Sequence, residues 1–371
     1  MRRLAYGFLV LVVLGSLMAG GFVRVSRTES RPPSTRPPDM GFTFSQRQAG
    51  YLDLSWQQAF QAAMDLDPNL VRLGAYWDDI EPSPGQFDFS TLDWLLDNTP
   101  SQSSVLLTVG MKAPRWPEYF LPKWLQREVK VPSGGDIASD PQVRQATLDY
   151  IRAVVEHVKD RPNLKYWQVE NEPLDPSGPR RWTIDAGFLA QEVALVRSLD
   201  PARPIVGNIF VDASPLTALP SQRDALESRA RTILGMVDVL GLDLYTVRPT
   251  VVGSLRLSFS WPAWIWEPRV LDLRDIAQGA GKQIWISEAQ AEPWLPARLV
   301  DNSASSNGKA SPALTSNTVE RLQADGFNTI LFWGVEYWYM RDTRYQDNAW
   351  WSHMLRFFTK PAIQQEPSPD A

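Results

Sequence analysis

The chain has 371 residues, 37 basic and 42 acidic side chains, and a formal net charge of −5. With no Lys/Arg cluster in its body, that balance leaves no electrostatic footprint for nucleic acid. The sequence holds no cysteine and only two histidines, which excludes disulfides and thiol chemistry and argues against a His-rich metal site.

The first 23 residues read as a signal peptide or a membrane anchor. Arg2 and Arg3 precede an apolar run from Leu4 to Val23, long enough to cross a bilayer. Ala19-Gly20-Gly21 offers a cleavage site, whereas the full apolar length also fits an uncleaved anchor with its positive end in the cytoplasm. Both readings place the rest of the chain outside the cytoplasm. Residues 24–40, with Arg31-Pro-Pro-Ser-Thr-Arg-Pro-Pro38, cannot bury a core and read as a linker. Residues 361–371 read as a disordered tail, and residues 41–360 as one domain.

Within that domain short apolar runs alternate with helical periods, the pattern of βα units around a parallel sheet. The predicted strands are Gly41–Phe44, Leu70–Gly74, Val105–Val109, Tyr166–Glu170, Pro204–Ile209, Val237–Leu244, Ile284–Ser287 and Thr329–Trp333. Ser55-Trp-Gln-Gln58 offers a capping box for a helix through Met64. A short helix is expected from Ser90 to about Asp97. Asp140-Pro141 supplies the N-cap and first turn of a helix reaching Val158, and Thr183 to Leu199 reads as a further helix. Eight alternations predict an α/β fold of the (β/α)8 TIM barrel class, whose active sites lie at the C-terminal mouth.

Two strand ends carry the chemistry. Trp167-Gln-Val-Glu-Asn171-Glu172-Pro173 stops an apolar run on a carboxylate followed by proline, which removes a backbone donor and ends the ladder. Three βα units later Gln283-Ile-Trp-Ile-Ser287 runs into Glu288. Two glutamates at the ends of different buried strands are what cleavage of a glycosidic bond requires, one to protonate the leaving oxygen and one to attack or to activate water. Arg72 lies in an apolar run where a charge needs a partner, and an arginine beside a nucleophilic carboxylate would lower its pKa.

Residues 41–358 resemble a clan A retaining glycoside hydrolase: Asn-Glu-Pro after strand four, Glu after strand seven, Trp after strand eight. The loop Trp77-Asp-Asp-Ile-Glu-Pro-Ser-Pro-Gly-Gln-Phe-Asp-Phe89 is also similar to the segment after strand two in such enzymes. The resemblance implies that Glu172 is the acid/base and Glu288 the nucleophile. By the same resemblance, Asn171 would bond the sugar 2-hydroxyl, Arg72 and Tyr245 would hold the nucleophile, and Trp333 would floor the subsite. The chain departs from the clan in strand three, which ends Val-Gly-Met-Lys-Ala-Pro, and in strand six, Gly241-Leu-Asp-Leu-Tyr245, where many members carry histidines. The individual family stays unassigned.

Sixteen tryptophans supply aromatic faces for sugar rings. Trp77, Trp116, Trp294, Trp333 and Trp338 follow strands and are candidate platforms, while Trp56, Trp94 and Trp167 read as core. Trp261, Trp264 and Trp266 read as a lid or a membrane-facing patch. Among other carboxylates, Glu170 is expected in a buried hydrogen-bond network, Glu81 in a structural role, Glu292 in a substrate contact or exposed, and Glu336 at the mouth. The reading is a retaining β-glycoside hydrolase acting on a poly- or oligosaccharide without metal or organic cofactor. A transglycosylase using the same residues, or an inactive sugar-binding barrel serving as an envelope adaptor, are the alternatives.

Overall fold

The structure, a computed structural model, describes residues 38–215, 219–252, 255–294 and 310–359. The expected leader, most of the linker and the tail lie outside them. The strands are β1 (Asp39–Thr43), β2 (Leu70–Gly74), β3 (Ser104–Val109), β4 (Leu164–Val169), β5 (Ile205–Asp212), β6 (Val239–Tyr245), β7 (Val247–Val252), β8 (Leu255–Ser260), β9 (Gln283–Gln290) and β10 (Thr329–Trp333). All but β7 and β8 form a closed parallel barrel in chain order, with β10 completing it against β1. The β7/β8 pair is an antiparallel hairpin inserted after the sixth barrel strand, so β9 and β10 are the seventh and eighth. The barrel class expected from the alternation is the one observed. Among the described residues no helix is long and apolar enough to cross a membrane.

The period-2 alternation of each strand sorts its side chains into two shells. One set (Leu70, Leu106, Val206, Val239, Trp285, Leu331, with Tyr166 against them) forms an apolar cluster separate from the main core. Its Tyr166 and Trp285 rings meet edge to face at 4.8 Å. This cluster plugs the barrel near the strand starts. The opposite set packs against the surrounding helices in the main core, where each fully buried aliphatic or aromatic side chain contributes about 1.5–3 kcal/mol. Two residues further along the same inward rows the character changes to Arg72, Thr108, Gln168, Asn208 and Ser287, all buried. The plug thus supports a polar layer, and the polar layer supports the mouth.

Helix Pro141–Val158 begins as expected, with the Asp140 side chain accepting from the Gln142 and Val143 amides. Helix Ser90–Asp97 also has its expected bounds. The capping box at Ser55 does not form: helix Trp56–Met64 is present, but the Ser55 side chain makes no capping bond. Burial of Ala59, Phe60, Ala63 and Met64 holds that helix instead. The helix expected from Thr183 starts at Ala186, because Asp185 accepts from the Gly187 and Phe188 amides and sets the first turn there. Near the hairpin, Trp266 is buried and Trp264 is 65% exposed.

Candidate active site

The fourth strand ends in an unusual backbone. Glu170 and Glu172 both adopt left-handed conformations, with φ of 60° and 44°, a state that costs a non-glycine residue roughly 1–3 kcal/mol and persists only where the surroundings enforce it. Here they do. The Glu170 carboxylate accepts from the Met111 (2.8 Å) and Lys112 (2.6 Å) amides, so it turns out of the lumen into the buried network expected of it. The Glu172 amide donates to Asn208 Oδ1 at 2.8 Å, and Lys112 Nζ donates to the Glu172 carbonyl at 2.6 Å. Gly110, at φ 129°, leaves the room Glu170 needs, since a Cβ there would lie 2.3 Å from Glu170 Oε1.

Arg72, 0% exposed, organises the layer below. Its guanidinium donates to Gln168 Oε1 (2.8 Å), Glu288 Oε1 (2.6 Å) and Asn171 Oδ1 (2.5 Å). Tyr245 donates its hydroxyl to the other Glu288 oxygen at 2.5 Å. Both Glu288 oxygens are therefore oriented by protein donors, and the structure brings Arg72, Asn171, Tyr245, Glu172 and Glu288 together at one end of the barrel. Glu288 lies inside β9 rather than just past it, because that strand runs on to Gln290. The β6/β9 register shifts between Leu242 and Asp243. This bulge lets consecutive residues reach one side: Ser287 bonds Asp243, and Glu288 bonds Tyr245.

Asp243 and Asn208 were not singled out by the sequence reading. Asp243 is buried and accepts from Ser287 Oγ at 2.5 Å and from Asn208 Nδ2. One oxygen from each of Glu172, Asp243 and Glu288 lies within 4.8 Å of the others. That spacing by itself would suit a divalent cation. The donor set does not fit one, because Arg72 and Tyr245 occupy Glu288, while Ser287 and Asn208 occupy Asp243. The inward parity of Asp243, two residues before Tyr245, was the available signal.

Crowding of three carboxyls sets their protonation. Burial first, then Asp243 and Glu288, push Glu172 well above the usual carboxylate range, against the pull of Lys112. Glu288 is also raised, by burial and then by Asp243, with Arg72 and the Tyr245 hydroxyl pulling it back down. The expected ion pair with Arg72 is present and pulls the Glu288 pKa down, while desolvation and a third carboxylate outweigh that pull.

The aromatic candidates divide. Trp333 is half-buried at the end of β10, with the Arg115 guanidinium carbon 3.8 Å from its ring centroid. Trp294, 39% exposed, meets the Tyr245 ring at 4.6 Å. Both belong to the mouth; Trp116, which follows Arg115 in the chain, is 60% exposed. Trp77 does not. It is fully buried, stacks on Tyr150 at 4.9 Å, and donates to Glu81 Oε2 at 2.6 Å, so it is a core ring and no substrate platform. The first turn after β2 folds it inward, which a loop position in the sequence did not reveal. Trp338 is likewise buried, bonded to the Ala291 carbonyl. Glu81 has the structural role expected, and Glu292 and Glu336 both pair with Arg115, a residue the sequence reading passed over.

Comparison with known proteins adds a sequence match. Residues 51–178 match the glycoside hydrolase 42 family model, described as beta-galactosidase; the segment includes Arg72, Asn171 and Glu172 and ends before Glu288. The beta-galactosidase bgaB of Geobacillus kaustophilus is 30% identical over 128 residues, 32% of this chain and 19% of that enzyme. The match therefore spans about a fifth of the curated relative's length. Gan42B, a GH42 beta-galactosidase, superposes with a TM-score of 0.56 at 17% identity, covering 79% of this chain and 50% of that one. Xylanase 10B of Thermotoga maritima superposes with a TM-score of 0.51 at 15% identity, covering 80% and 82%. The family model matches residues 51–178, and the closed eight-stranded barrel of this chain is the (β/α)8 fold that these solved structures share.

Proposed function

We propose that this chain is a retaining β-glycoside hydrolase that works by double displacement. The observation that carries the reading is the convergence of Glu172 and Glu288, with a carboxylate oxygen from each within 4.8 Å and both Glu288 oxygens held by Arg72 and Tyr245. Such closeness favours retention, which uses carboxyls about 5–5.5 Å apart, over inversion, which leaves about 6.5–9.5 Å for a water. In the first half-reaction a Glu288 oxygen bonds to the anomeric carbon as the bond to the leaving oxygen breaks, and Glu172 gives that oxygen its proton. In the second, Glu172 takes a proton from water, whose oxygen bonds to the anomeric carbon and releases the Glu288 carboxylate. Asn171, held by Arg72 and Asn208, would bond the sugar 2-hydroxyl. Trp333 and Trp294 offer aromatic faces to the ring. The beta-galactosidase relatives make a β-galactoside the first sugar to test. The apolar first 23 residues support an extracytoplasmic location, tethered or secreted.

The test separates the two glutamates. Glu288→Ala should reduce turnover of aryl β-galactosides to background for every leaving group. Glu172→Ala should still glycosylate Glu288 from 2,4-dinitrophenyl β-galactoside, accumulate the adduct, and release the β-glycosyl azide when azide is added. Equal loss in both variants, with no trapped adduct and no azide product, would overturn the roles.

A further inference from the structure

We propose that Asp243 is a positioning residue for the acid/base: a buried carboxylate, fixed by Ser287 and Asn208, that accepts a hydrogen bond from the Glu172 carboxyl and so keeps the acid proton there. The inference rests on the assignment of Glu172 as acid/base. Its geometry comes from three elements. Asp243 projects from β6 and receives the Ser287 hydroxyl of β9 at 2.5 Å on one oxygen and the Asn208 side-chain amide of β5 on the other. An ionised carboxyl is acceptor-only, so donors directed at both of its oxygens favour the charged form of Asp243 against burial, which raises its pKa. An oxygen of the Glu172 carboxyl, at the end of β4, lies within 4.8 Å of an Asp243 oxygen, and a hydrogen bond between them with Asp243 ionised requires the proton to reside on Glu172.

The surrounding charges are consistent with that division. The charges that act on Glu172 are Asp243, Lys112, Glu288 and Glu118. Lys112 Nζ is engaged by the Glu172 and Asp175 carbonyls and by Glu118 at 3.5 Å, and so is not turned to the Glu172 carboxyl as a competing ion pair. Arg72, which lowers the pKa of both Asp243 and Glu288, donates its hydrogen bonds to Glu288, Gln168 and Asn171. Asp243 is therefore the anion against which Glu172 would have to ionise. Once Glu172 has given its proton to the leaving oxygen, two carboxylates face each other, and relief of their repulsion favours Glu172 as the base that takes the proton back from water in the second half-reaction.

Asp243→Asn preserves shape. The Asn208 amide can still donate to the new Oδ1, and the Ser287 hydroxyl can turn to accept from the new amide nitrogen. With the charge gone, the Glu172 proton should be lost about 1–2 pH units lower. The full chain, labelled with 13C at Asp and Glu carboxyls and solubilised in detergent, is titrated by NMR, with Glu172→Gln and Asp243→Asn assigning the two signals. In the wild type Asp243 should ionise before Glu172, and in Asp243→Asn the Glu172 signal should move down by that amount. The basic limb of kcat/KM on 4-nitrophenyl β-galactoside should move down with it, because the general acid must be protonated. A Glu172 titration unchanged in the variant would overturn the proposal. So would a wild type in which Asp243 holds its proton to higher pH than Glu172, a result that needs no folded variant. Absence of turnover on every aryl glycoside would instead overturn the glycosidase reading, and the NMR titration would still decide the role of Asp243.

Discussion

Removing the Arg72 side chain tests the centre of the site in stability and chemistry at once. Arg72→Met keeps most of the buried volume but strips the cation from Glu288 and a donor each from Gln168 and Asn171. Breaking a buried ion pair by deleting one partner costs about 3–5 kcal/mol, because the other charge is left uncompensated. Asn171 keeps the Asn208 amide at 2.9 Å, so its loss is partial, whereas Gln168 Oε1 loses its Arg72 donor. The chemical effect has a definite sign. Arg72 lowers the Glu288 pKa against burial and Asp243, so its removal raises that pKa further, by about 1–3 units. The nucleophile must be ionised, so the acidic limb of kcat/KM on an aryl β-galactoside should move up by the same amount. Well below that limb the rate should fall about 10- to 1000-fold, while the basic limb stays in place. Urea unfolding gives the first quantity and pH–rate profiles the second. A loss of stability with an unmoved acidic limb would refute the reasoning and leave Arg72 a purely structural ion-pair partner.

Two further outcomes follow from the packing and charges. Trp77→Ala should lose about 3–5 kcal/mol of stability with KM unchanged in the folded fraction, whereas Trp294→Ala should raise KM with stability nearly unchanged; a reversed pattern in unfolding and KM measurements would return Trp77 to the list of platforms. The stability of the wild type should decline as pH rises. Burial pushes Glu170 up to about 7 and its neighbour Glu192 well above the ordinary range. A raised carboxyl pKa gives stability that is full below the unfolded value near 4.5 and is lost as pH climbs through the folded one. Glu192→Gln should flatten the fall of Tm between pH 5 and pH 9, and an unchanged slope would show that the pair is not its source.

The sequence by itself determined the alternation of the fold and the places where it breaks. β2 and β10 have the bounds that their apolar runs dictate, because a strand buried on both faces must be apolar nearly throughout. Asp140-Pro141 and the Asn-Glu-Pro break were legible because capping and a missing amide are local events. Arg72 was legible because a charge in a buried strand needs a partner. The tertiary structure decided what depends on contacts far apart in the chain. Trp77 and Trp294 both follow strands, yet one stacks on Tyr150 and the other borders the mouth. The Ser55 cap failed where packing alone holds the helix. Asp243 and Arg115 looked like ordinary strand and loop residues until closure of the barrel set one beside Glu172 and the other over Trp333. Local signals are written in neighbouring residues, whereas the fate of a buried charge or ring is fixed by partners that only the closed barrel brings within reach.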